Sequence, residues 1–400
     1  MWKIAFASVA SACALTIALS ASAMEFPLEK GQVAVGATDT AVTKDSDTML
    51  DLARDFDDGY VDFMSANPGV NPWHPGHGKT ITIPNFFILP DAPRTGIVIN
   101  LAERRIYYFP PGGKTVETYP AGVGVKADAT PLGVTRVVLK EDGPVWRPPP
   151  SIRAERPELP AAIYPGPDNP LGDYALRLGW TNYLIHGTNK PDSVGRNVSH
   201  GCLHIYPEDI ERLFHEVPVG TQVRSVNQPV KAGWIDNRLY VEVHPSKEQA
   251  DEIDFNQPMT PAVPPQLTEI VRKVAGSRAQ LVDWDTVRAV GRAATGIPTP
   301  VTPLPADLQA NGAPARASDP RSSTANDMDA RYYRPSPAAT DLDPGYRPSA
   351  SAIDPDASDA VIAGGRSRAS NLTPGAATMR PNRQPSQQPT SQEAALQFGN

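Results

Sequence analysis

Between Gly96 and Val243 the chain runs as short apolar segments rich in Val, Ile and Tyr, cut by turn residues, and this spacing points to a mostly β architecture. Gly96 to Leu101 (Ile97, Val98, Ile99) and Arg105 to Phe109 (Ile106, Tyr107, Tyr108) flank a turn at Ala102-Glu103. They read as a β-hairpin with apolar residues on alternate positions. Val116 to Val125 and Gly133 to Leu139 continue the pattern, parted by Thr130-Pro131-Leu132-Gly133. A Pro-rich insertion, Pro144 to Pro170, then interrupts it and is too long for an ordinary turn. Tyr183 to His186 and Cys202 to Ile205 return as strands, and Glu208 to Glu216 reads as a short helix. Gln222 to Val226 and Leu239 to Val243 close the β block.

The flanks have other compositions. Lys3, the apolar run Ile4 to Leu19 and the small residues Ser20-Ala21-Ser22-Ala23 have the layout of a secretory signal peptide over 1–23. The run is short for a membrane span. Cys13 lies inside it, and the preceding Ala10-Ser11-Ala12 lacks the leucine of a lipoprotein acceptor. From Asp47 the pattern turns helical, with Met49, Leu50, Ala53, Phe56 and Tyr60 at steps of three and four and Thr48 as N-cap. Asn67-Pro68-Gly69-Val70-Asn71-Pro72-Trp73 ends it, and Thr80 to Ile83 reads as a strand closed by Pro84. Leu267 to Val274 and Trp284 to Val290 are amphipathic pieces expected to pack on the β block as helices. From 301 onward bulky apolar residues are scarce among Pro, Ala, Ser, Asp and Arg. Such a segment cannot bury enough surface to offset its ordering entropy, so disorder is expected. The net charge of -7 weighs against a nucleic-acid binder.

Cleavage after Ala23 would leave Cys202 as the sole cysteine. Exported proteins normally pair their thiols, so a lone one reads as a reactive group, with a buried inert thiol as the alternative before its neighbours are considered. Its surroundings strengthen that reading: His186-Gly187-Thr188-Asn189, then Ser199-His200-Gly201-Cys202-Leu203-His204. A thiol becomes a useful nucleophile when a nearby imidazole takes its proton. His186 ends one strand and Cys202 starts another, and neighbouring strands would bring them together. Gly201 would let a substrate carbonyl approach the main chain closely. The N–H groups of Gly201 and Cys202 would then stabilise an oxyanion.

The pattern H-G-T-N, a loop, then S-H-G-C and an apolar residue resembles the signature of the L,D-transpeptidase (YkuD-type) catalytic domain. The likeness extends over 94–245 and includes Asn169-Pro170-Leu171-Gly172 and Leu184-Ile185. It implies a β-sandwich catalytic domain with short helices that cuts and rejoins peptidoglycan stem peptides. Cys202 would be the nucleophile and His186 the general base and later acid, oriented by a main-chain carbonyl near Gly187. Ser199, His200 and Gly201 would shape the loop and the oxyanion site. The resemblance calls for no metal or organic cofactor. It implies a secreted enzyme of the Gram-negative periplasm, with a second stem peptide or a lysine of an outer-membrane protein as acyl acceptor. One position departs from the family. Arginine or asparagine usually stands two residues after the cysteine, where this chain has His204. A cation there would support the thiolate or bind a substrate carboxylate, which a neutral histidine does less well.

The helix, the Asn-Pro-Gly turn and the closing Ile-Thr-Ile-Pro resemble the later part of a LysM module, a small peptidoglycan-binding domain. The expected organisation is therefore a signal peptide (1–23), a LysM-like α/β subdomain (46–90), the catalytic domain (94–245), a helical extension (246–300) and a Pro-rich tail (301–400). Blander readings exist for several residues. His74 and His77 belong to a turn, the sequon Asn197-Val198-Ser199 falls inside the catalytic loop, and His200 and His204 also read as packing residues. A metal set of His186, His200, Cys202 and His204 is awkward, because alternate residues on a flat strand diverge rather than converge on a tetrahedron. A purely wall-binding protein would need no thiol beside an imidazole.

Overall fold

The computed structural model describes residues 24–124, 130–199 and 201–304. The expected signal peptide, the tail from 305 and His200 lie outside the described residues. The chain opens with β1 (Met24–Pro27), β2 (Ala34–Gly36) and β3 (Asp39–Val42). Helices α1 (Met49–Asp55) and α2 (Tyr60–Ala66) follow, then β4 (Thr80–Ile83) and β5 (Phe86–Ile88). β3 pairs with β4 and β2 with β5, both antiparallel. Thr48 caps α1 as expected, accepting a hydrogen bond from the Asp51 N–H at 3.1 Å. The single helical pattern is split in two, however. Asp57 takes a φ of +53°, and Gly59 starts α2 against Gly195, where a Cβ would lie 2.8 Å from the Gly195 Cα. The apolar period survives the break because Met49, Leu50, Ala53, Tyr60 and Phe63 all enter one core.

The middle of the chain comprises β6 (Gly96–Asn100), β7 (Arg105–Phe109), β8 (Thr115–Pro120), β9 (Val123–Gly124) and β10 (Gly133–Asp142). After α3 (Pro150–Glu155) come β11 (Tyr174–Leu178), β12 (Leu184–His186), β13 (Asn197–Ser199), β14 (Leu203–His204), α4 (Pro207–Glu216) and β15 (Gln222–Val226). A nine-stranded sheet runs β1-β8-β7-β6-β15-β10-β11-β12-β14. β10 is its corner: Gly133–Arg136 pair with β15, and Val137–Asp142 pair with β11 across a register shift. The sheet therefore curls. Ile97, Ile99, Ile106 and Tyr119 from one half meet Val137, Leu176, Ile185 and Leu203 from the other, with Ile210 and Leu213 of α4 between. The hairpin differs from simple alternation, since every residue of β7 is buried. Its outer face, Tyr107 and Phe109, is covered by Val35, Phe87 and Leu89 of the N-terminal part.

The chain ends with β16 (Val230–Ile235), β17 (Arg238–Val243), α5 (Lys247–Asp254), α6 (Leu267–Ala275), α7 (Trp284–Ala293) and β18 (Thr299–Pro300). The two amphipathic pieces are helices, α6 and α7. They cover the separate three-stranded sheet β16-β17-β18 rather than the nine-stranded one, sharing a core of Leu239, Val241, Leu267, Val271 and Val287. Strand β17, counted in the sequence with the β block, thus packs with the extension.

A buried ionic cluster ties the three parts together. The Lys231 ammonium lies 2.8 Å from Glu103 and 2.7 Å from Glu242, while His244 reaches Glu242 at 2.7 Å and Asp62 of α2 at 3.3 Å. Burial opposes charge on His244, but its hydrogen bonds to Asp62 and Glu242 push it up to about 9. Glu103, Glu242 and His244 could offer three ligand atoms to a metal, yet the Lys231 ammonium already sits between the carboxylates.

Candidate active site

Strand register builds the site. Directly paired residues share a face of a sheet, and successive residues alternate. Leu176, Leu178, Ile185 and Leu203 fill the core. Their neighbours Ala175, Arg177, Leu184, His186 and His204 therefore point to the opposite face. β12 and β14 run parallel, with Ile185 beside Leu203 and His186 beside His204. Cys202, one residue ahead of Leu203, falls beside Leu184, on the same face as His186. The half-buried thiol donates to the Asn182 carbonyl at 3.4 Å and accepts from the Leu184 N–H.

His186 is buried, and its Nδ1 lies 2.5 Å from the Gly187 carbonyl oxygen. A carbonyl only accepts, so Nδ1 carries the proton and Nε2 keeps its lone pair. The carbonyl is held in place by close packing around the two glycines. A Cβ on Gly187 would lie 2.9 Å from Ile210 Cγ2, and one on Gly172 (φ +65°) would lie 2.9 Å from the Thr188 nitrogen. Buried Asn169 forms the turn that presents Gly172, accepting from the Leu171 N–H at 2.9 Å and donating to the Pro144 carbonyl at 2.6 Å. That is the physical content of Asn169-Pro170-Leu171-Gly172.

Gly201 adopts a φ of +100°, a conformation that disfavours any side chain. Thr130 donates to the Gly201 carbonyl at 2.8 Å, and Ser199 donates to the Cys202 carbonyl. A trans peptide directs its N–H opposite to its C=O, so anchoring the Gly201 oxygen aims the Cys202 N–H away from Thr130. Burial lowers His186 to about 3, helped by the neighbouring His204 and opposed by the Gly187 hydrogen bond. Burial also pushes the Cys202 thiol up, opposed by the Leu184 N–H and the Arg177 charge. The thiol and the imidazole are thus both neutral at rest.

The model of the L,D-transpeptidase catalytic domain (YkuD) matches residues 94–224. "Probable L,D-transpeptidase YcfS" of Escherichia coli K12 is 42% identical over 262 residues, which is 62% of this chain and 82% of that one. "Probable L,D-transpeptidase ErfK/SrfK" of the same organism is 37% identical over 290 residues, 70% of this chain and 91% of its own. The chain belongs to the L,D-transpeptidase family.

Set against that family, His204 stands where arginine or asparagine is usual, and it is buried. Its Nε2 lies 3.1 Å from the Ser193 carbonyl, and its main chain forms an antiparallel bridge with Gly122. A Cβ on Gly122 would fall 2.0 Å from that nitrogen, so the absent side chain makes room for the ring. The two imidazoles are 6.1 Å apart, centroid to centroid. The donor atoms of His186, Cys202 and His204 face three different carbonyls, those of Gly187, Asn182 and Ser193. The loop carrying Ser193 is gripped from outside the catalytic block. The Tyr60 N–H donates to the Val194 carbonyl at 3.2 Å, and Arg196 stacks 3.6 Å above the Tyr60 ring. Thr130, Gly122, Ser193 and Arg177 were not singled out from sequence. Thr130 carried only a turn signal, and the others acquire meaning only through strand register.

Proposed function

We propose that this L,D-transpeptidase family member acts on peptidoglycan stem peptides through a Cys202 acyl-enzyme. The observation that carries the reading is the Nδ1–H bond from His186 to Gly187, which leaves Nε2 as a base on the face that bears Cys202. The acyl donor is a tetrapeptide stem with a diamino acid at its third position. Cys202 attacks the carbonyl between that residue and the terminal D-alanine as His186 takes the thiol proton. The N–H groups of Gly201 and Cys202 stabilise the oxyanion, and Ser199, with His200, shapes the loop around it. The C–N bond breaks, His186 returns the proton to the departing amine, and D-alanine leaves. An amine from another stem's diamino acid, or from a lysine of an outer-membrane protein, then attacks the thioester and frees Cys202. His204 acts as an inner wall of the site, packed against His186.

The reading places the enzyme in the cell envelope, exported by residues 1–23 to the periplasm. The β3-α1-α2-β4 order supports a LysM-like glycan-binding role for the N-terminal part, here fastened to the catalytic loop through Tyr60 and Arg196. The test is incubation of the chain from Met24 with purified disaccharide-tetrapeptides, followed by mass spectrometry. Released D-alanine and cross-linked dimers are expected. Their absence, or their persistence with Cys202→Ala, refutes the reading.

A further inference from the structure

The face that carries His186 and Cys202 also carries one permanently charged cation. In the β11–β12 register Ala175 lies beside His186 and Arg177 beside Leu184, and Cys202 flanks Leu184 on its other side. Arg177, Leu184 and Cys202 therefore form one row across three strands, with about 10 Å between the outer two backbones at two strand spacings. Leu184 is apolar and buried, so it fills the floor of that row without competing for charge. Among the residues of β11, β12 and β14, Arg177 is the sole arginine or lysine.

The guanidinium is held in a defined place. Glu141, paired with Ala175 and hence on the same face, accepts from Arg177 Nε at 3.1 Å and from Nη2 at 2.8 Å, both through Oε1. One edge of the guanidinium is thus fixed, while the side chain stays 40% exposed. A planar fork with one edge anchored presents its other edge to a second carboxylate. Arg177 is near enough to favour the Cys202 thiolate, against the larger effect of burial. Position 204 cannot serve in the same way, because its imidazole is buried against Gly122 and turned to Ser193.

We propose that Arg177, positioned by Glu141, is the subsite that binds a carboxylate of the stem peptide lying across Cys202. The inference rests on the stem-peptide reading given above. Two carboxylates have the required chemistry: that of the terminal D-alanine on the leaving side and, with a diamino dicarboxylic acid at the third position, the second carboxylate of that residue on the acyl side.

Three tetrapeptides separate the possibilities: one with both carboxylates free, one amidated at the D-alanine terminus, and one amidated at the diamino acid. The rate of terminal residue release is measured for the wild type, Arg177→Lys and Arg177→Gln. Arg177→Gln is expected to lose about 10–100-fold in kcat/KM on the free peptide, the scale of one lost charged hydrogen-bond pair. Arg177→Lys should recover part of that loss, because it keeps the charge without the fork. One of the two amidations should cost the wild type a similar factor and cost Arg177→Gln almost nothing further, which names the carboxylate. Equal slowing of Arg177→Gln on all three peptides, or a wild type that treats all three alike, overturns the subsite alone. A wild type that releases no terminal residue from any peptide overturns the proposed function and the subsite together.

Discussion

If His186 is the proposed base, its neutral state has a direct kinetic consequence. Its imidazole, held near 3 by burial and by His204, is about 1% protonated at pH 5. An ordinary imidazole at 6.5 would be about 97% protonated there and would lose about 30-fold in its capacity to accept a proton. The rate at which a tetrapeptide stem acylates Cys202 should therefore stay within about twofold between pH 7 and pH 5. The acid limb should appear only as the pH nears 3. Stability must be followed alongside. The unfolded chain binds a proton on His186 below 6.5 that the folded protein refuses, so stability falls as the pH drops from 6.5 toward 3. At pH 5 that loss is about 2 kcal/mol, which a folded domain of this size can bear. The assay is adduct formation by intact mass at half-unit pH intervals, with circular dichroism at each point. An acid limb centred between 6 and 7 in a protein that is still folded would refute the reasoning.

Three other outcomes follow from the same geometry. His244 is held charged up to about 9, so its contribution is complete below 6.5 and vanishes as the pH rises through 9. Denaturant unfolding should show a loss of up to about 3 kcal/mol between pH 6.5 and 9.5, and His244→Gln should flatten that dependence. Gly172→Ala puts a methyl 2.9 Å from the Thr188 nitrogen at a φ of +65°, so it should cost about 1–3 kcal/mol of stability and lower acylation by displacing the Gly187 carbonyl. His204→Arg restores the usual family residue in a buried slot walled by Gly122, so a lowered Tm is expected, with a loss of about 1–3 kcal/mol. The pH profiles of the two proteins between 6 and 8 should superimpose, and a flatter profile in the variant would show that His204 carries a catalytic charge.

The strands of the curled sheet and the placement of Cys202 and His186 on neighbouring strands were legible in the chain because each rests on local information. Alternating or continuous apolar runs set the strands, and a histidine and a cysteine stand at two of the strand ends. The break between α1 and α2 was not legible, since the docking of Gly59 on Gly195 imposes it from 136 residues away. Burial of both faces of β7 was hidden for the same reason: Tyr107 and Phe109 read as outward until Phe87 and Leu89 cover them. Strand β11 went unseen in Tyr174-Ala175-Leu176-Arg177-Leu178, as a polar residue interrupts its apolar run, and Arg177 was lost with it. His204 illustrates the limit most clearly. Its residue type suggested a group facing the sulfur, but the missing side chain at Gly122 opens a buried slot that turns it to Ser193.

If Cys202 carries the acyl group, as proposed, intact mass spectrometry of the protein mixed with a tetrapeptide stem should catch it. Rapid acid quenching should trap a species heavier than the free protein by the stem tripeptide acyl group, with one equivalent of D-alanine released per adduct. His186→Ala should form that adduct at least about 10²-fold more slowly. Peptide mapping should place the added mass on Cys202, and Cys202→Ala should show neither adduct nor D-alanine. An adduct of that mass in Cys202→Ala, or D-alanine released by it at the wild-type rate, would contradict the account.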